Sequence, residues 1–160
     1  MNTESMIEVK FNLNGENVQT EVLPSMTVLE MLRRNFKLTA AKEGCGKGEC
    51  GACTVLFNGV PVNTCVRLAA TLRETDSIVT VEGLANDKLM QAIQKAYVEE
   101  GAVQCGFCIP GMTISSYSLL KKNPKPSMDE VKHALAGNIC RCTGYRKIEA
   151  AVLKAAESGK

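Results

Sequence analysis

At 160 residues the chain has room for one ordinary domain or two small ones, and a net charge of +2 with the signs mixed leaves no basic footprint for nucleic acid. Three Tyr, four Phe and no Trp offer no platform for stacking bases, and the apolar runs are far too short to cross a bilayer. The stretch from Met1 to Gly15 carries Glu4 and Glu8 and alternates apolar with polar, unlike a secretory leader, and Arg33-Arg34 lies too deep for a twin-arginine signal. The expected location is the cytoplasm, where thiols stay reduced and clustered cysteines point to metal rather than disulfides.

Ile7, Val9, Phe11 and Leu13 alternate with polar residues at the period of a half-buried strand. Asn14-Gly15 follows as a hairpin turn, Val18, Thr20 and Val22 keep the period, and Pro24 ends the pair. Thr27 and Glu30 form a capping box ahead of Val28, Leu29, Met31 and Leu32, the apolar side of a short helix. A second hairpin is expected from Thr54–Phe57 and Val60–Val62 around Asn58-Gly59, and a closing strand at Ser77–Val81. These elements make an α+β roll.

The period then changes. Leu89, Ile93, Ala96 and Tyr97 recur at helical spacing up to Gly101, and Pro110 suits the first turn of a helix running through Leu119, Leu120 and Lys121. Ser127 and Glu130 make another capping box, for a helix with Val131 and Leu135 that ends at Gly137. A last helix opens at Thr143 or Gly144, with Ile148, Val152 and Ala155 inward. Four such helices form a small bundle. The loop at Gly83–Asp87 divides the chain into domains at 1–82 and 83–160, and no internal repeat relates them.

Eight cysteines fall into two quartets. Cys45, Cys50, Cys53 and Cys65 form C-x4-C-x2-C-x11-C, and Cys105, Cys108, Cys140 and Cys142 form C-x2-C-x31-C-x-C. The first spacing is that of a plant-type 2Fe–2S ferredoxin, three thiolates from one loop and a fourth from beyond it. Four glycines stand among the ten residues Gly44–Cys53, where close backbone approach would let N–H groups point at cluster sulfurs. In the second quartet Cys105 and Cys108 precede one helix and Cys140 and Cys142 another, and helix N-termini favour thiolates and anionic clusters.

Zinc is the rival ligand for either quartet. Zinc commonly takes two separated short knuckles, which the first quartet lacks; the second spacing by itself fits either metal. A redox pair at Cys105 and Cys108 would want a thioredoxin-like context, and none is present. His133 reads as a surface or partly packed residue, the seven Met mostly as packing, and no phosphate-binding loop or hydrolytic set appears.

Taken together, the motifs at 44–54, 104–111 and 138–145 resemble those of the small iron–sulfur subunit of molybdenum hydroxylases, the family of xanthine dehydrogenase, aldehyde oxidoreductase and carbon monoxide dehydrogenase. The resemblance runs over nearly the whole chain and brings the second quartet to iron–sulfur. It implies a β-grasp ferredoxin-like domain followed by an all-α four-helix domain, each holding one 2Fe–2S cluster. It implies partners too, in a hetero-oligomer that is a dimer of heterotrimers or larger: a large subunit with a molybdenum–pterin cofactor and a separate FAD subunit. Electrons would pass from the pterin site through both clusters to the flavin, with Gln104 and Cys142 beside the pterin and no substrate chemistry on this chain. The complex is expected to hydroxylate a small N-heterocycle of purine or nicotinate type. Carbon monoxide dehydrogenase and a hydroxybenzoyl-CoA reductase are alternatives within the family. Outside it stand a free electron carrier, expected to stop near residue 81 and to be acidic, and a zinc-stabilised adaptor.

Overall fold

The computed structural model describes residues 5–158; Glu4, part of the stretch read for a leader, lies outside them. Strands β1 (Ile7–Leu13) and β2 (Glu16–Val22) form the first hairpin, turning at Asn14-Gly15, both at positive φ. Val9, Phe11 and Leu13 face inward, as the period of two requires. Helix α1 (Val28–Arg34) opens with the capping box of Thr27 and Glu30 and buries Val28, Leu29, Met31 and Leu32. Seven residues are too few for a helix to persist alone. Four buried side chains at roughly 1.5–3 kcal/mol each hold it against the sheet.

β3 (Thr54–Phe57) and β4 (Val60–Asn63) make the second hairpin, and β5 (Ser77–Val79) closes the sheet in the order β2-β1-β5-β3-β4. β5 is parallel to β1 and antiparallel to β3, so the sheet is mixed around a long crossover that carries α1 and the first cysteine loop. This is the expected β-grasp arrangement. β5 ends two residues earlier than Val81. Asn14, at φ 54, accepts from the Thr80 N–H (2.9 Å) and donates to Thr80 Oγ1 (3.2 Å), so a side chain takes the place of a strand partner.

The second half folds as α2 (Lys88–Glu99), α3 (Ile109–Lys122), α4 (Met128–Leu135) and α5 (Arg146–Ser158). α2 packs on α3 and α5, and α4 packs on the same two, closing a four-helix bundle. α2 ends in a Schellman motif: Gly101 at φ 61 lets its own N–H reach Val98 O and the Ala102 N–H reach Tyr97 O. α4 carries the expected capping box, and His133 is exposed in its last turn. α5 begins at Arg146 rather than at Thr143 or Gly144. Gly144 and Tyr145 both have left-handed φ, which a helical turn excludes.

Buried apolar side chains gather into two clusters, one between the sheet and α1, the other among the four helices with Leu56 of β3 added to it. α3 lies at their border. It packs on β3 and β4 as well as on α2 and α4, and is buried along most of its length, including Thr113, Ser115, Ser116 and Ser118.

Candidate metal centres

The first loop is built to bring sulfur to backbone. Gly46, Gly48 and Gly51 have φ of 64, 78 and 69, so the chain coils around Cys45, whose Sγ lies 3.4 Å from both the Lys47 and the Glu49 nitrogen. Gly44 has room for no side chain: a Cβ there would stand 2.8 Å from Cys50 Sγ. Beyond β4, a short 3-10 turn at Thr64–Val66 swings Cys65 back to the loop. Thr64 donates to Cys53 O (2.7 Å), and the Asn63 amide donates to Gly48 O, which fixes the turn against the cysteine loop.

In this site the thiols meet in pairs, Cys45 with Cys50 and Cys53 with Cys65, and Cys65 also feels the charge of Cys45. N–H groups of Lys47, Cys50 and Glu49 hold the Cys45 thiol down to about 6. Burial, then the neighbouring Cys53 thiol, pushes Cys65 up to about 11, although the Gly48 N–H pulls the other way. Binding iron as a thiolate therefore requires Cys65 to release a proton.

The second site repeats the pairing with different parts. Cys108 sits at the N-cap of α3 with Gly106 at φ 81 before it; Cys140 and Cys142 lie in the segment between α4 and α5, four residues short of α5 at the nearer one. Only one helix end therefore meets this quartet directly. Cys142 and Cys105 are 3.5 Å apart and exposed, whereas Cys108 and Cys140 are buried and in contact. Burial, with Cys140 adding to it, pushes Cys108 up to about 12. Burial also acts on Cys140, but Thr143, 3.1 Å away through its hydroxyl, and the N–H groups of Thr143 and Cys142 outweigh it and hold that thiol low. The contact with Cys105 raises Cys142. The Cys140 N–H donates to Tyr145 Oη (2.9 Å), which uses the left-handed Tyr145 to fasten the loop.

Among the described residues no three His, Cys, Asp or Glu side chains are placed to hold a single metal ion. The thiols come together two by two. That donor set fits a two-iron centre, which takes two thiolates on each iron, with backbone N–H groups at the sulfurs as such anionic groups require. Gln104 is exposed beside Cys105.

Residues 6–94 match the family model described as 2Fe-2S iron-sulfur cluster binding domain, and residues 80–153 match the 2Fe-2S binding domain model. The chain is 50% identical over 151 residues to the nicotinate dehydrogenase small FeS subunit of Eubacterium barkeri, covering 94% of this chain and 96% of that one. The chain belongs to the family of small iron–sulfur subunits of molybdenum hydroxylases. It superposes on the crystal structure of quinoline 2-oxidoreductase from Pseudomonas putida 86 with a TM-score of 0.89 and 40% identity, covering 96% of this chain and 95% of that one. Aldehyde oxidase 1 of Rattus norvegicus is 42% identical over 153 residues, where the match covers 88% of this chain but only 11% of a much longer one. As a small iron–sulfur subunit, the chain carries two 2Fe–2S binding domains and takes part in electron transfer within an oxidoreductase.

The cysteine spacing picked out all eight thiols, which the structure brings together in two quartets. It did not point to the polar residues that fasten the loops: Thr54, Asn63, Ser115 and Asn138. The available signal was the run of hydroxyl residues in α3, too polar for a helix face buried without partners.

Proposed function

We propose that this chain carries electrons from a molybdenum–pterin cofactor on a large partner subunit to FAD on a second partner, in a cytoplasmic complex that hydroxylates a small aromatic N-heterocycle. The observation that carries the proposal is the pair of thiol quartets, the first from one loop and the turn after β4, the second from two well-separated segments, on either side of one contact between the first loop and the segment before Cys140. In this reading Cys45, Cys50, Cys53 and Cys65 hold one cluster within residues 1–82, and Cys105, Cys108, Cys140 and Cys142 hold the other within residues 83–160. The clusters supply one-electron relay in series.

The chain's own residues do the rest. Thiolates fix the irons, N–H groups around Cys45 and Cys140 favour the more reduced, more negative state, and burial of Cys108 and Cys140 keeps water from one side of the second site. Exposure of Cys105, Cys142 and Gln104 supports an approach by the pterin at that edge. Nicotinate and quinoline, in the names of two relatives, are both nitrogen heteroaromatics, which supports the substrate class. No described helix is long and apolar enough to cross a membrane.

The test is anaerobic purification of the chain with its partners, followed by rapid mixing with nicotinate, quinoline and xanthine. Reduction of both iron–sulfur signals before the flavin by one of these N-heterocycles is expected. Flavin reduction with both iron–sulfur signals unchanged would refute the role.

A further inference from the structure

Two segments of the candidate centres touch through the main chain. The Ile139 N–H donates to Cys50 O at 2.9 Å, so one hydrogen bond joins a cysteine of the first quartet to the residue preceding Cys140 of the second. A continuous route follows from it: Cys50 side chain, Cys50 carbonyl, the hydrogen bond, Ile139 backbone, Cys140 side chain.

That contact is fastened by a buried amide. Asn138, 4% exposed, accepts from Ser115 Oγ of α3 at 2.6 Å and donates to Gly51 O at 3.0 Å. Gly51 O also receives the Thr54 N–H (3.1 Å) and Thr54 Oγ1 (2.7 Å), so the first loop, β3, α3 and the segment before Cys140 meet at one carbonyl. Two glycines make the approach possible. A Cβ on Gly111 of α3 would stand 2.1 Å from Gly51 O, and a Cβ on Gly51 would stand 2.4 Å from both Asn138 Nδ2 and Gly137 O. The Asn138 amide is thus held by α3 through Oδ1 and reaches across the border between the two cores through Nδ2. A buried amide is costly unless its bonds are made, so its geometry is tightly specified.

We propose that Asn138 is a positioning residue for electron transfer: its amide, seated against Gly51 and Gly111, sets the separation of the two thiolate sites and with it the rate of exchange between them. The inference rests on the reading that both quartets hold clusters in series. In the step itself one electron leaves an iron of the second site, which is oxidised, and reduces an iron of the first; no proton moves and no covalent bond forms or breaks.

The test uses the loaded complex of wild type, Asn138→Leu, Gly111→Ala and the milder Ser115→Ala. Iron content and the EPR signal of each cluster establish that ligation is intact. Two readouts then address position: the magnetic splitting between the clusters when both are reduced, and the rate at which an electron injected by flash-photoreduced deazaflavin equilibrates between them. Variants retaining four irons and unshifted individual signals are expected to show altered splitting. Their equilibration should slow severalfold in Asn138→Leu and Gly111→Ala, and less in Ser115→Ala. A purely structural role would lower yield or melting temperature and leave exchange unchanged in loaded molecules; unchanged splitting and rate overturn the inference. Should Asn138→Leu fail to load, Ser115→Ala decides on the same two readouts. Absence of two cluster signals in wild type would instead strike the underlying function.

Discussion

Asp87 stands at the N-terminus of α2, where its Oδ1 accepts from the Leu89 N–H (2.8 Å) and the Met90 N–H (3.1 Å) while Oδ2 accepts from the Tyr117 hydroxyl of α3 (2.9 Å). Replacing it with Ala removes a cap worth about 1 kcal/mol. It also removes a hydrogen bond to a charged group, taken at about 1.5 kcal/mol, the low end, because the carboxylate is only half-buried. The sum of about 2.5 kcal/mol corresponds to roughly 60-fold faster opening of the first turn of α2. Amide hydrogen exchange of residues 88–93, measured in the intact complex, reads this directly. Tyr117→Phe keeps the cap and should accelerate exchange only about tenfold. Burial opposes the charged form of Asp87, but the Met90 N–H, the Tyr117 hydroxyl and the Leu89 N–H together hold its pKa below the ordinary 3.8. A depressed carboxylate stabilises fully above its unfolded pKa and loses that contribution as pH falls through the folded one, so the gap between wild type and Asp87→Ala should be constant from pH 8 to 5. Exchange in the first turn that does not change in Asp87→Ala, or a gap that closes between pH 8 and 6, would show that the carboxylate does not hold this helix end.

Cys50→Ser should remove the first cluster, lowering iron from about four to about two per chain. Electron delivery to the flavin should fail while substrate still reduces molybdenum; unchanged acceptor turnover would contradict it. Cys142→Ser should alter the EPR signal of the second cluster and leave the first as it was, checked on dithionite-reduced samples. Thr27→Ala should lose the bond from the Glu30 N–H (3.1 Å) and cost about 1 kcal/mol, seen as a melting temperature lower by roughly 2–4 °C.

Where residue type alone fixes geometry, the sequence was a reliable guide. The capping boxes at Thr27 and Ser127, the turns at Asn14-Gly15 and Asn58-Gly59, and the alternation of Val9, Phe11 and Leu13 all act within a few residues of themselves. The candidate thiols stood out because cysteine is a rare residue type and each quartet has a set spacing. What stayed hidden depends on distant partners. β5 stops early because Asn14, 66 residues away, takes up Thr80. α5 starts late because Gly144 and Tyr145 go left-handed so that the Tyr145 hydroxyl can reach the Cys140 N–H. Asn138 lies within a motif, yet its partners Ser115 and Gly51 are 23 and 87 positions off, and no local periodicity encodes them.

Both quartets are expected to hold iron in two-iron centres. Metal analysis of the anaerobically purified complex, joined to an EPR-monitored reductive titration, tests it most directly. About four irons per copy of this chain, no zinc, and two distinct signals that appear on reduction are the predicted result. Zinc in place of iron, or a single signal with about two irons, would contradict it.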